Sequence, residues 1–177
     1  IGDTATKTAI LQRFSEASVM HFATHGLLEG MTLFDLPGAI AVAQSTGGQT
    51  AFIDLPDSQR QVSLSDFGLI DTNEILLFRL RAELVVLSAC NTGGGDLTGD
   101  GINGLSRAFI ASGVPSVVVS LWAIPDAPTG ELMTTFYEEW LGGSDKATAL
   151  RTAMLTTMEQ YPDPINWAAF TLIGEAE

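Results

Sequence analysis

Leu84-Val85-Val86-Leu87-Ser88-Ala89-Cys90 is an apolar run that ends in the only cysteine of the chain. Asn91-Thr92-Gly93-Gly94-Gly95 follows and stops it. A short, Val- and Leu-rich run bounded by turn residues predicts a strand buried on both faces, as in a parallel sheet. A second run also ends in a reactive residue: Val19-Met20-His21-Phe22-Ala23-Thr24-His25-Gly26. Two parallel strands ending in His25 and Cys90 would bring both side chains to one sheet edge. In open α/β sheets, sites form at that edge, beyond the strand carboxyl ends. A lone cysteine with a histidine brought near by the fold is a candidate thiol nucleophile.

Working outward, strands alternate with helices. Residues 4–14 (TATKTAILQRF) predict a helix with Thr4 as N-cap and Ala9, Ile10 and Phe14 on one face. Residues 38–43 and 51–55 read as the two strands of a hairpin turned at Gly47-Gly48, an antiparallel insertion. Asp71-Thr72-Asn73-Glu74 is a helix start with acids in its first turn. Residues 93–100 read, from their glycines, as a mobile loop. A helix over 102–112 turns Leu105, Phe109 and Ile110 inward and stops at Gly113. Val117-Val118-Val119-Ser120-Leu121-Trp122 is a third buried strand. Residues 129–141 carry a stripe of Leu132, Met133, Phe136 and Trp140. Ser144 or Asp145 caps a further helix reaching to about Tyr161, and residues 167–173 (WAAFTLI) form the last strand. The alternation predicts an α/β domain with a mostly parallel sheet and right-handed crossovers.

The chain has 177 residues, 46% of them apolar, which suits a single domain with a real core. Its net charge of −13 argues against nucleic acid, which needs a basic surface. It would suit a basic peptide or protein partner, or serve solubility alone. One cysteine excludes an internal disulfide framework, and two histidines with one cysteine argue against a structural zinc site. No signal peptide or membrane-spanning apolar run is evident. A reducing cytoplasm is the expected compartment, and the start at Ile1 suggests a piece of a longer protein.

The chemistry needs three parts. An imidazole takes the thiol proton or holds the thiolate as an ion pair. Backbone donors must face the developing oxyanion, and the N–H groups of Gly26 and Cys90 are the candidates. Gly26 also lets a substrate carbonyl approach closely. On chemistry alone another reading stands beside this one: Cys90 as a buried packing residue and His25 as a strand-end histidine bonded to backbone. His21, within its strand and on the same strand face as His25, reads as a structural histidine. The Gly-rich loop lacks the Lys-Ser or Lys-Thr of a nucleotide-binding P-loop.

These segments resemble the CHAT domain family, caspase-like domains often found beside tetratricopeptide repeats. The resemblance rests on His21-Phe22-Ala23-Thr24-His25-Gly26 and on residues 84–93. It continues through Gly101-Ile102-Asn103-Gly104-Leu105-Ser106-Arg107-Ala108-Phe109, residues 118–122, Asp126, Leu132-Met133, Phe136-Tyr137, Ala149-Leu150-Arg151 and Asn166-Trp167-Ala168-Ala169-Phe170. It covers nearly the whole chain, as one caspase-like domain over residues 1–177. It implies a three-layer sandwich with helices on both sheet faces, His25 as base and Cys90 as nucleophile. It further implies a cysteine endopeptidase acting on a protein or peptide, no cofactor and no metal, and adjoining repeat modules in the parent chain.

By the same resemblance, Ser120, Trp122 and Asp126 fall on the substrate-binding side. In related peptidases that prefer basic residues, an acid at the position of Asp126 lines the pocket before the scissile bond. Asp126 as a cap of the following helix, and Trp122 as core, are the structural alternatives. The family domain usually begins with a further strand, helix and strand before the segment 2–7. Without them the His25 strand would be left at an exposed sheet edge. Asp100 stands where the family often has Glu. The alternative function is a caspase-like interaction module without turnover. A thiol redox role is weak, because no resolving cysteine is present.

Overall fold

Val19–Phe22 (β1), Leu84–Leu87 (β5), Ser116–Ser120 (β6) and Phe170–Gly174 (β7) form a four-stranded sheet in the order β1-β5-β6-β7. The computed structural model describes residues 2–24, 26–27, 38–43, 68–88 and 100–177, with side chains for all of these except 26, 27 and 100–103. β1, β5 and β6 run parallel, in register Phe22↔Leu87 and Leu87↔Val119. β7 is antiparallel to β6. Among the described residues β1 is an edge strand.

Alternation along the strands builds two cores. Met20, Phe22, Val85, Leu87, Val117 and Val119 face one way, toward Lys7–Leu11 (α1), Thr72–Leu76 (α2) and Asp100–Ala111 (α3). Leu84, Val86 and Val118 face the other way, toward Asp126–Leu141 (α4) and Lys146–Gln160 (α5). The result is the three-layer α/β sandwich with helices on both faces. Phe14 joins the first core at its centre, edge-on to Phe22 and Phe78 with centroids 6.3 and 5.4 Å away. On the other face Phe136 stacks on Trp140 at 6.2 Å.

A small antiparallel sheet, order β2-β3-β4, sits beside this frame. It consists of Gly26–Leu27 (β2), Ala39–Ala41 (β3) and Leu69–Asp71 (β4). β3 is the middle strand, paired with β2 on one edge and β4 on the other; the hairpin expected between residues 38–43 and 51–55 falls in part outside the described residues. Residues 51–55 themselves lie outside the described residues, as does the Gly-rich stretch 93–99.

Helix ends differ from expectation where side-chain chemistry decides them. Thr6, not Thr4, is the N-cap of α1, its hydroxyl accepting from Ala9 N at 3.4 Å, and Phe14 lies in the turn beyond the helix. α4 begins at Asp126 rather than Thr129. Pro128 is tolerated there because first-turn N–H groups have no intrahelical acceptor. Asp145 caps α5, accepting from the Thr148 amide and hydroxyl, and these bonds hold its carboxyl below the usual range. Ile110, expected inward, is 37% exposed, whereas Leu105 and Phe109 are buried. α3 does stop at Gly113, whose φ of +108° suits glycine. Residues 167–169 are turn rather than strand, with Trp167 closing a 3-10 turn over Pro164–Asn166.

Candidate functional site

β1 and β5 end side by side. Past the last ladder pair, Phe22↔Leu87, the cleft between these strand ends and α4 opens at the carboxyl edge of the sheet. Among the described residues its walls include His21, Thr24 and Ser88 from the strand ends, with Ile124, Asp126 and Met133 from the side of α4. This is where a parallel sheet is expected to form a site.

His25 and Cys90 lie outside the described residues; Thr24 and Gly26 on either side of His25 are described, and Ser88 is the last described residue before Cys90. Thr24 donates its hydroxyl to Ala41 O at 2.7 Å, and the Gly26 backbone pairs with Ile40. The chain on either side of His25 is thus tied to β3. Ser88, two residues before Cys90, is half-buried at the end of β5.

The substrate-side residues divide. Asp126 lines the cleft, exposed, in the first turn of α4, where a carboxylate also complements the helix dipole. It is not the N-cap; Pro125 holds that position and makes no side-chain cap. Trp122 is half-buried against the α4–α5 core, and its indole N–H donates to Ile165 O at 3.0 Å. Ser120 is 2% exposed, paired through its backbone with β7. Asp126 and the strand ends therefore share one cleft, while Trp122 and Ser120 are held by the body of the domain.

Sequence reasoning passed over two polar residues here. His21 Nε2 lies 3.0 Å from Ser88 Oγ, and Tyr137 Oη lies 3.1 Å from His21 Nδ1. Ser88 Oγ also donates to Phe22 O at 3.4 Å. Burial of the ring lowers the His21 pKa from 6.5, although the residue keeps an exposed edge in the cleft. Burial pushes Tyr137 up to about 12. Both are thus neutral at pH 7. The available signals were a serine at the end of an apolar strand and a tyrosine inside an apolar helix stripe.

No three His, Cys, Asp or Glu side chains among the described residues converge as a metal site. No helix among them is long and apolar enough to cross a membrane.

Comparison with known proteins follows the same outline. The CHAT domain profile matches residues 1–175. Tetratricopeptide repeat protein 28 of Mus musculus is 32% identical over 191 residues, covering 98% of this chain and 8% of that protein. The Homo sapiens protein of the same name gives the same identity and coverage. The chain thus spans about 8% of the length of these relatives.

Proposed function

The chain belongs to the CHAT domain family, a peptidase-like family, and on that premise we propose that it is a cysteine endopeptidase domain. His25 accepts the Cys90 proton, and the thiolate attacks a peptide carbonyl. The Gly26 and Cys90 N–H groups hold the oxyanion. The amine leaves with a proton from His25, and water hydrolyses the acyl-enzyme. The domain acts within a longer, repeat-bearing polypeptide in a reducing cytoplasm; the relatives' names support such repeats.

One observation carries this reading. Phe22 and Leu87 are register partners on adjacent parallel strands; His25 follows Phe22 by three residues and Cys90 follows Leu87 by three. Adjacent strands are about 4.8 Å apart, and three residues reach at most about 11 Å. Equal chain lengths leaving paired positions on one edge support an imidazole and a thiol within proton-sharing reach.

Asp126 supports a basic residue before the scissile bond. It is an acid in the cleft, no Lys or Arg lines that cleft among the described residues, and His21 there is neutral. A guanidinium or ammonium would find an unopposed carboxylate.

Iodoacetamide should label Cys90 at neutral pH, and His25→Ala should slow that labelling. Peptides with Arg or Lys before the scissile bond should be cut, and Cys90→Ala should abolish cutting. Labelling at the rate of an ordinary thiol, unchanged in His25→Ala and without turnover, would leave the interaction module as the function.

A further inference from the structure

We propose that His21, Ser88 and Tyr137 form a positioning network that fixes the two strand ends leading to His25 and Cys90 and docks them on α4, the helix that carries Asp126. The proposal rests on the cysteine-peptidase reading and deepens it: none of the three would touch the reacting atoms.

The network joins the three elements that meet at the cleft. Tyr137 belongs to α4, His21 to β1 and Ser88 to the end of β5. The contacts run Tyr137 Oη to His21 Nδ1 at 3.1 Å, His21 Nε2 to Ser88 Oγ at 3.0 Å, and Ser88 Oγ to Phe22 O at 3.4 Å. The two rings are also in contact, 5.8 Å between centroids. His21 is the register partner of Val86, and Ser88 lies two residues beyond Val86. Strand alternation therefore turns both side chains toward α4.

The bonds have one consistent direction. A neutral imidazole has one donor and one acceptor nitrogen. Tyr137 keeps its proton and donates to Nδ1, which leaves the hydrogen on Nε2. That N–H donates to Ser88, whose own hydroxyl donates to the Phe22 carbonyl. Desolvation keeps His21 in this neutral form.

The Ser88–Phe22 contact has a particular place. Phe22↔Leu87 is the final backbone pair of the two strands. One residue later a side chain continues the tie between β5 and β1, and Thr24 then fastens the same stretch to Ala41. The paths toward His25 and Cys90 therefore depart at a spacing set by side chains as well as by the ladder. Thiol activation is sensitive to this spacing, because a misplacement of about 1 Å can cost about 100-fold in rate.

The test is the pH dependence of Cys90 alkylation by iodoacetamide in the whole domain, read with a thermal melt. Tyr137→Phe keeps the ring and removes one hydroxyl; Ser88→Ala removes the other; Ser88→Thr restores it. Tyr161→Phe, which loses only exposed bonds to Glu131 and Gln160, is the control. The wild type should show an alkylation profile displaced to low pH. Tyr137→Phe and Ser88→Ala should each move it toward that of an ordinary thiol and lower kcat about tenfold or more, with KM little changed. Ser88→Thr and Tyr161→Phe should keep the wild-type profile. A displaced wild-type profile that Tyr137→Phe and Ser88→Ala, both folded, leave unmoved overturns the network alone. If one of them fails to fold, the other decides. An ordinary wild-type profile, indifferent to His25→Ala, overturns the peptidase reading and the network with it.

Discussion

Thr72 carries the one buried side-chain oxygen among the described residues that has no hydrogen-bond partner. It opens α2, directly after a capping box in which Asp71 accepts from Glu74 N at 2.9 Å and Glu74 answers to Asp71 N at 3.2 Å. Glu74 also pairs with the buried Lys7 of α1. Thr72→Val keeps the shape and removes the unpaired group, so a gain of up to about 1 kcal/mol is expected in denaturant melts. Asp71→Ala should cost about 1–2 kcal/mol, since it strips the cap. This helix start was legible in Asp71-Thr72-Asn73-Glu74, because capping is local chemistry. Tyr137 and His21 give a second prediction, set by burial. Below pH 6.5 the unfolded chain binds a proton at His21 that the folded chain resists, so stability falls with pH until the lowered folded pKa is reached. Above pH 10 the unfolded chain releases the Tyr137 proton while the folded chain keeps it to about pH 12, so stability falls as pH rises across that interval. Tyr137→Phe should flatten the alkaline limb relative to wild type in urea melts taken from pH 9 to 11.

Among the elements, the small β2-β3-β4 sheet depends on a backbone that only glycine suits. Gly68 has φ +62°, and a Cβ there would lie 2.6 Å from Val42 O, the carbonyl of a residue whose N–H donates to Gly68 O at 2.7 Å. Gly68→Ala should cost about 1–3 kcal/mol and speed hydrogen exchange at the β3–β4 ladder. Because β3 holds Thr24 and Gly26, the same change should slow Cys90 labelling on the proposed reading. Little of this sheet could be read from sequence. β2 has two residues, β3 and β4 have three each, and β4 begins 28 residues after β3 ends. Pairs so short and so remote leave no local periodicity. The four-stranded sheet was legible for the opposite reason. Leu84–Leu87 and Ser116–Ser120 are buried at every position, and continuous apolar runs mark central parallel strands. Of the site, the two sequence-distant ends of β1 and β5 were legible as neighbours on one edge. The His21–Ser88–Tyr137 contacts were not, since they join residues 67 and 116 positions apart through side chains alone.

At the scale of the molecule, charge and cleft both bear on the proposed preference for basic residues. The chain carries 21 acidic residues against 8 basic ones, and Asp126 faces the cleft at the sheet edge. A net charge of −13 creates a field that draws cations inward from solution, whereas the carboxylate at the cleft acts only at contact range. Salt separates the two contributions, because the Debye length shrinks from about 30 Å at 0.01 M to about 8 Å at 0.15 M. If the domain cuts after basic residues, kcat/KM for an Arg- or Lys-containing peptide should fall about tenfold or more across that range, mostly through association. A neutral peptide of the same length should change little. Asp126→Asn should reduce the preference for the basic peptide at both salt concentrations, because a bond at contact range is screened far less than the surrounding field. Glu159→Gln, an exposed change on α5 away from the cleft, removes the same unit of charge and should leave the preference intact. Equal losses in the two variants would assign the selectivity to overall charge and remove Asp126 from the pocket; a preference untouched by both variants and by salt would mean that this acidic surface serves solubility and that another side chain selects the substrate.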